Sequence, residues 1–232
     1  MNWVLLVAMP VAFLAGSVPF GLLIARRHGV DIRQHGSRNI GATNVLRVLG
    51  KKAGAQCFAL DVLKGLIPTI AAGAIAGLLG RFDIAAGDAL LWLGVMACPI
   101  LGHMFSPWVG FKGGKGVATG LGSLLGVFPV LTIAGVGAFA LWIVVVARWR
   151  YVGMASSIAA ASLPLWIAGS FVAAGNLGWL GRAWYEAGWP FLVVGVLLAG
   201  LVVFKHRGNI RRTLAGTESK FGQRVEVAPE AS

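Results

Sequence analysis

Cations, glycines and hydrogen-bonding side chains gather in three short stretches of this chain: GSRNIGATNVLR at 36–47, FKGGKGVATG at 111–120 and KHRGNIRR at 205–212. Glycines let a backbone approach a ligand closely and turn several N–H groups toward one anion. In the first stretch Gly36 and Gly41 have P-loop spacing, with Thr43 two positions on. Ala42 stands where the P-loop lysine belongs, however, and no strand precedes it, so a nucleotide-hydrolysing loop fits poorly. What remains is a turn for an anion, helped by the Ser37 hydroxyl and the Asn39 and Asn44 amides. In the second stretch Lys112 and Lys115 flank Gly113 and Gly114 at the start of an apolar helix, whose N–H groups and dipole face the same anion. The third offers His206, Arg207 and Asn209. Arg suits two-pronged phosphate contacts, and His exchanges a proton near neutral pH. Plainer roles exist for each stretch: a capped turn, a pair of topological lysines, a basic stop signal.

Other chemistries lack their parts. There is no G-x-S-x-G nucleophile elbow and no HExxH. His28, His35, His103 and His206 show no metal-ligand spacing with the few acids, so neither a metal nor another cofactor is expected. Trp108 stands where a His-x4-Asp acyltransferase signature starting at His103 would need Asp. Asp61 and Lys64, at i and i+3 inside an apolar run, share a helix face as a structural pair or as support for a site. His103 reads equally as packing residue or ligand. Cys57 and Cys98 read as buried small side chains.

The elements that must position these residues are membrane helices. A mean hydropathy of +0.80 and 57% hydrophobic residues exceed what a soluble domain carries. Apolar runs at about 3–25, 53–80, 89–105, 117–147, 152–176 and 189–204 match the roughly 20 residues that a span needs. The net charge of +12 clusters beside these runs, which points to cytoplasmic loops and anionic lipid or substrate and away from nucleic acid. The 117–147 run is too long for one span, and Gly126, Phe128 and Pro129 break its middle. If it is a hairpin, seventeen of the twenty Lys and Arg face the cytoplasm. The expected fold is therefore an all-α integral membrane protein of about seven transmembrane helices, N-terminus outside and C-terminus cytoplasmic. It forms one domain over 1–232, with 219–232 as a flexible tail.

With the shorter stretches SVPFG at 17–21, DVLKG at 61–65, GHMFSPWVGFKGGKGVATG at 102–120, RYVGMASS at 150–157 and HRGNIRRTLAGTE at 206–218, the chain resembles the bacterial acyl-phosphate:glycerol-3-phosphate acyltransferases, the PlsY type. The resemblance covers nearly the whole chain. It implies a seven-span enzyme of the bacterial inner membrane whose active site lies on the cytoplasmic side. It further implies transfer of a fatty acyl group from acyl phosphate to the 1-position of glycerol 3-phosphate. Lysophosphatidic acid and phosphate result, without CoA, acyl carrier protein or a cofactor. Carried over by position, Ser37, Lys115, Ser156, His206 and Asn209 serve as catalytic residues. Gly36, Asn39, Gly41, Thr43, Asn44, Arg47, Lys112, Gly113, Gly114 and Arg207 hold the substrate phosphates. Two departures stand out: Arg38 and Ile40 replace Gly and Pro of the family's GSGNPGATN, and Gly153 and Ala155 lack hydroxyls that RYVSLSS carries. Ser156 and the adjacent Ser157 remain alternatives for the serine. The base is either the substrate's own phosphate or His206. A transporter for a phosphorylated metabolite is the competing class, and it predicts midplane polar groups and an internal repeat.

Overall fold

A computed structural model describes residues 2–224, and among them every regular element is helical. The nine α-helices are α1 (Trp3–Ser17), α2 (Phe20–Arg27), α3 (Ala42–Leu49), α4 (Lys51–Ile75), α5 (Ala86–Met104), α6 (Val117–Gly126), α7 (Val130–Trp149), α8 (Val152–Asn176) and α9 (Trp184–Leu214). Among the described residues, six segments are long and apolar enough to cross a membrane, with α1 and α2 counted together. Residues 225–232 of the expected tail lie outside the described residues.

The 117–147 run divides at Gly126–Pro129, as its breakers predict, but unequally. α6 has ten residues and spans about 15 Å, half of a bilayer's hydrocarbon. It lies parallel to the second half of α4: a Cβ on Gly65 would collide with the Thr119 carbonyl, one on Gly122 with the Val62 carbonyl, and one on Gly126 with Thr69. Small residues thus bring two backbones into contact, as is common where lipid supplies no hydrophobic drive between helices. Beyond α6, the Phe128 carbonyl accepts the Gly80 N–H at 3.2 Å, so this short helix ends level with the far end of α4. It starts at mid-depth because residues 105–116 fold back into the bundle.

Pro19 separates α1 from α2 by forcing Val18 out of helical geometry (ψ 119°). The carbonyls released there are used. Ser17 O accepts the Ser106 hydroxyl at 2.7 Å and Val18 O accepts Lys64 Nζ at 2.8 Å. Trp108 Nε1 donates to the Ser17 hydroxyl at 2.8 Å, so the helix break holds the re-entrant loop. A packed core of Trp92, Phe82, Phe171, Phe191 and aliphatic neighbours fills the opposite end of the bundle. One end is solid, and the other is hollow.

Candidate active site

The hollow end holds a cavity of about 1020 Å³ bounded by α3, α4, α5, α6, α7, α8 and α9. Its two halves differ in chemistry. Ser37, Arg47, Lys115, Ser156, His206 and Asn209 line the half near the loops. Leu124, Gly135, Ala138, Leu163 and Leu198 line the other. From the polar rung to the apolar floor, α8 runs Ser156 to Leu163 and α9 runs His206 to Leu198, a depth of about 10–12 Å on both helices.

The first polar stretch is built around Asn44. Its side chain is 1% exposed, and Oδ1 accepts the Ser37 N–H at 2.8 Å. Nδ2 donates to the carbonyls of Asn39 (2.9 Å), His35 (3.1 Å) and Ile32 (3.2 Å). Both amide N–H groups are spent on the loop, so Asn44 shapes the turn while also lining the cavity. Asn39 Oδ1 likewise caps the Gly41 N–H at 2.9 Å. Gly36, Ser37, Gly41, Thr43 and Arg47 line the cavity together with these two asparagines. Arg38 adopts φ 58°, a left-handed conformation natural to the Gly it replaces. Arg47 is buried on α3; burial lowers its pKa and Glu218 opposes that effect.

Lys115 is placed by the floor beneath it. The Gly114 N–H donates to His103 O and the Gly113 N–H to Met104 O, each at 3.1 Å. A Cβ on Gly114 would strike the His103 ring, and one on Gly113 the His103 carbonyl. His103 in turn lies against Asp61, with Nδ1 3.7 Å from Oδ1, a contact too long for a hydrogen bond. Lys64 Nζ sits 2.8 Å from the same oxygen. Gly113 and Gly114 are therefore packing glycines that do not line the cavity, and Lys112 stands exposed outside it.

The third stretch is helical throughout, and its period sorts its residues. His206, Asn209 and Arg212 follow at intervals of three along α9 and line the cavity, whereas Arg207 is turned about 100° away. Arg207 stacks on Phe204, 4.1 Å from the ring centroid, and donates to the Phe204 carbonyl at 2.9 Å. His206 is 3% exposed, and its Nδ1 bonds Val202 O at 2.8 Å. A carbonyl only accepts, so Nδ1 carries the proton, and in the neutral ring Nε2 keeps its lone pair. Lys115 Nζ donates to Asn209 Oδ1. Asn209 Nδ2 and Arg212 Nε each donate to a Glu218 oxygen at 2.6 Å. Burial pushes Lys115 down to about 8, with the Arg212 and Arg47 charges adding to the shift and Glu218 opposing it.

On α8, Ser156 lines the cavity and its oxygen accepts Trp142 Nε1 at 3.2 Å, leaving the hydroxyl proton free. Ser157 is committed to the Gly153 carbonyl at 2.9 Å and does not line the cavity. The missing hydroxyl at Gly153 also has a reason here, since a Cβ there would collide with Asn209 Cβ. Arg212 and Glu218 are among the lining residues that the sequence reading missed. Arg212 was legible from the i, i+3 series it completes; Glu218 had no periodic signal, because it reaches the site only after the chain reverses beyond Leu214.

A family model described as glycerol-3-phosphate acyltransferase matches residues 6–216. The chain belongs to the glycerol-3-phosphate acyltransferase family. Proteins of that name from Geobacter sulfurreducens and Trichlorobacter lovleyi are 44% and 42% identical over 217 and 211 residues. The match takes in 93% of this chain and 97% of the Geobacter protein, and 90% and 94% for the Trichlorobacter protein. Among solved structures, the glycerol 3-phosphate form of PlsY, an integral membrane glycerol 3-phosphate acyltransferase, superposes with a TM-score of 0.73 at 36% identity. That match covers 94% of this chain and 96% of PlsY, and the lysophosphatidic acid form gives a TM-score of 0.72. The matched range takes in all three polar stretches, each of which contributes residues to the cavity.

Proposed function

We propose that this acyltransferase moves a fatty acyl group from acyl phosphate to the 1-position hydroxyl of glycerol 3-phosphate, releasing lysophosphatidic acid and phosphate without CoA or acyl carrier protein. One observation carries the reading: a single cavity with a cationic, hydroxyl-lined half continuous with an apolar half. Both substrates bring phosphate dianions, and one brings a long hydrocarbon chain. In this reading the chain crosses the bacterial inner membrane seven times, α6 completing the pass begun by the re-entrant loop, with the N-terminus outside and the polar half of the cavity toward the cytoplasm. One compact domain carries the whole activity.

Acyl phosphate is already an activated donor. What the protein must add is proximity and stabilisation of charge on the carbonyl oxygen and the departing phosphate. Ser37, Lys115, Ser156 and Asn209 supply donors for these, and Arg47 faces the second phosphate. Arg212, from the same cluster, serves there too. The hydroxyl oxygen of glycerol 3-phosphate bonds to the acyl carbonyl carbon, the carbon–oxygen bond to phosphate breaks, and the hydroxyl proton passes to the substrate phosphate. A second reading, in which His206 Nε2 takes that proton, is favoured by the bond that fixes the proton on Nδ1. His206→Ala with added imidazole separates the two: recovery of rate identifies His206 as the base, and its failure with binding intact identifies the phosphate.

The deciding assay follows phosphate release by purified protein given palmitoyl phosphate and glycerol 3-phosphate, with palmitoyl-CoA as the control donor. Release that needs both substrates, and no use of palmitoyl-CoA, is the expected result. Preference for palmitoyl-CoA, or no release, overturns the donor assignment.

A further inference from the structure

The polar half of the cavity is crossed by a strap. Beyond α9 the Thr217 and Glu218 N–H groups fold back onto the Arg212 carbonyl at 2.9 and 3.2 Å. Phe221 then packs with Val145, Val146 and Ala155 at the α7–α8 corner. Its N–H donates to Arg150 O at 2.6 Å, and the Arg150 guanidinium donates to Phe221 O at 2.8 Å. Further on, Arg224 reaches the α3–α4 corner, where its guanidinium lies 3.1 Å from the place a Cβ on Gly50 would take. One run of eight residues therefore touches three corners that bound the polar half. Glu218, Phe221, Gly222 and Arg224 line the cavity itself. The strap begins just past residue 216, where the family match ends.

We propose that residues 217–224, with Phe221 as anchor, select the acceptor: they keep bulk water from the bound acyl phosphate so that the glycerol hydroxyl attacks instead. The inference rests on the acyl-phosphate reading. Water and the glycerol hydroxyl attack the same carbonyl carbon, expel the same phosphate and release the same proton. Water yields a free fatty acid, and glycerol 3-phosphate yields the lysophospholipid. The cations of the cavity stabilise both reactions alike, so they cannot discriminate between them. Access can, because shutting an active site against water suppresses hydrolysis of a reactive donor. Glycerol 3-phosphate has a dianion to be drawn past the strap toward Arg212 and Arg47, and water has none.

The test compares the full chain, Phe221→Ser and a chain ending at Lys220, which keeps Glu218 and its partners. Phosphate released from palmitoyl phosphate alone is divided by lysophosphatidic acid formed with glycerol 3-phosphate. In both variants the ratio should rise by about tenfold or more. An unchanged ratio, or parallel loss of both activities, overturns the proposal. A second readout needs no donor chemistry: labelling of Ala118→Cys, which lines the cavity, by a water-soluble maleimide. Faster labelling in the Phe221→Ser background supports the strap's role, and equal labelling overturns it. A full chain inert toward palmitoyl phosphate sinks the donor assignment, and the labelling arm then decides the strap alone.

Discussion

Asp61, Lys64 and His103 form one cluster of acid and base, with Asp61 and His103 in the cavity wall; Lys115, Asn209, Arg212 and Glu218 form another. In the first, Asp61, Lys64 and His103 are 2%, 6% and 5% exposed, and Lys64 is also tied to a backbone carbonyl. In the second, the Arg212 side chain is 50% exposed, and its Glu218 partner, 8% exposed, arrives on the strap. The chemical types are nearly the same. The enclosed cluster packs beneath the glycine loop, whereas in the proposed reaction the open one trades its carboxylate for a phosphate. Access to water, more than residue type, divides scaffold from site.

The largest effect should come from breaking the enclosed cluster. Asp61→Ala leaves the Lys64 charge buried without a partner, a loss of about 3–5 kcal/mol. It should appear as a lower unfolding midpoint in detergent, and Asp61→Leu with Lys64→Met should recover most of it. A double variant as unstable as the single one would mean that the pair does more than neutralise itself. Lys115→Ala should do the reverse, lowering kcat/KM by about 100- to 1,000-fold with the unfolding midpoint held or raised. A drop in midpoint matching Asp61→Ala would erase the distinction between the clusters.

The open cluster should also announce itself in pH. With Lys115 at about 8 in the free protein, its charge is present below that value and lost above it, while a phosphate monoester is a dianion only above about 6. Capture should be best between these limits, with kcat/KM falling as pH rises through about 8. Lys115→Arg should remove that alkaline limb, since guanidinium stays charged there; a limb that persists in active Lys115→Arg protein assigns it to another group. The smallest effect belongs to the cations outside the cavity. Lys112→Ala with Arg207→Ala should alter kcat/KM by less than about threefold and stability by about 0.5 kcal/mol or less. A larger loss would draw the site's boundary wider than the cavity does.

Much of the architecture is legible in the sequence because membrane helices announce themselves by length, and Gly126–Pro129 marks a break that no helix interior would carry. The unequal division of that run is not legible. It depends on how far residues 105–116 fold back, which the Ser17, Ser106 and Trp108 bonds decide, and those pair residues about ninety positions apart. Within the site, α9 sorts its own residues by period. The glycine loop has no period, so Lys112 and Lys115 look alike until His103 and Met104 fix the backbone between them. Asn44 looks like a ligand for the same reason: an amide is equally able to hold an anion or a turn.

The polar-to-apolar gradient of the cavity, running in the same direction on α8 and α9, sets how the product departs. An amphiphile made there already has its headgroup at the loop end and its chain along the helices, the posture of a lipid in the adjacent leaflet. Leaving calls for sideways translation, with no inversion across the bilayer, so synthesis in place also settles on which side of the membrane the new lipid is deposited.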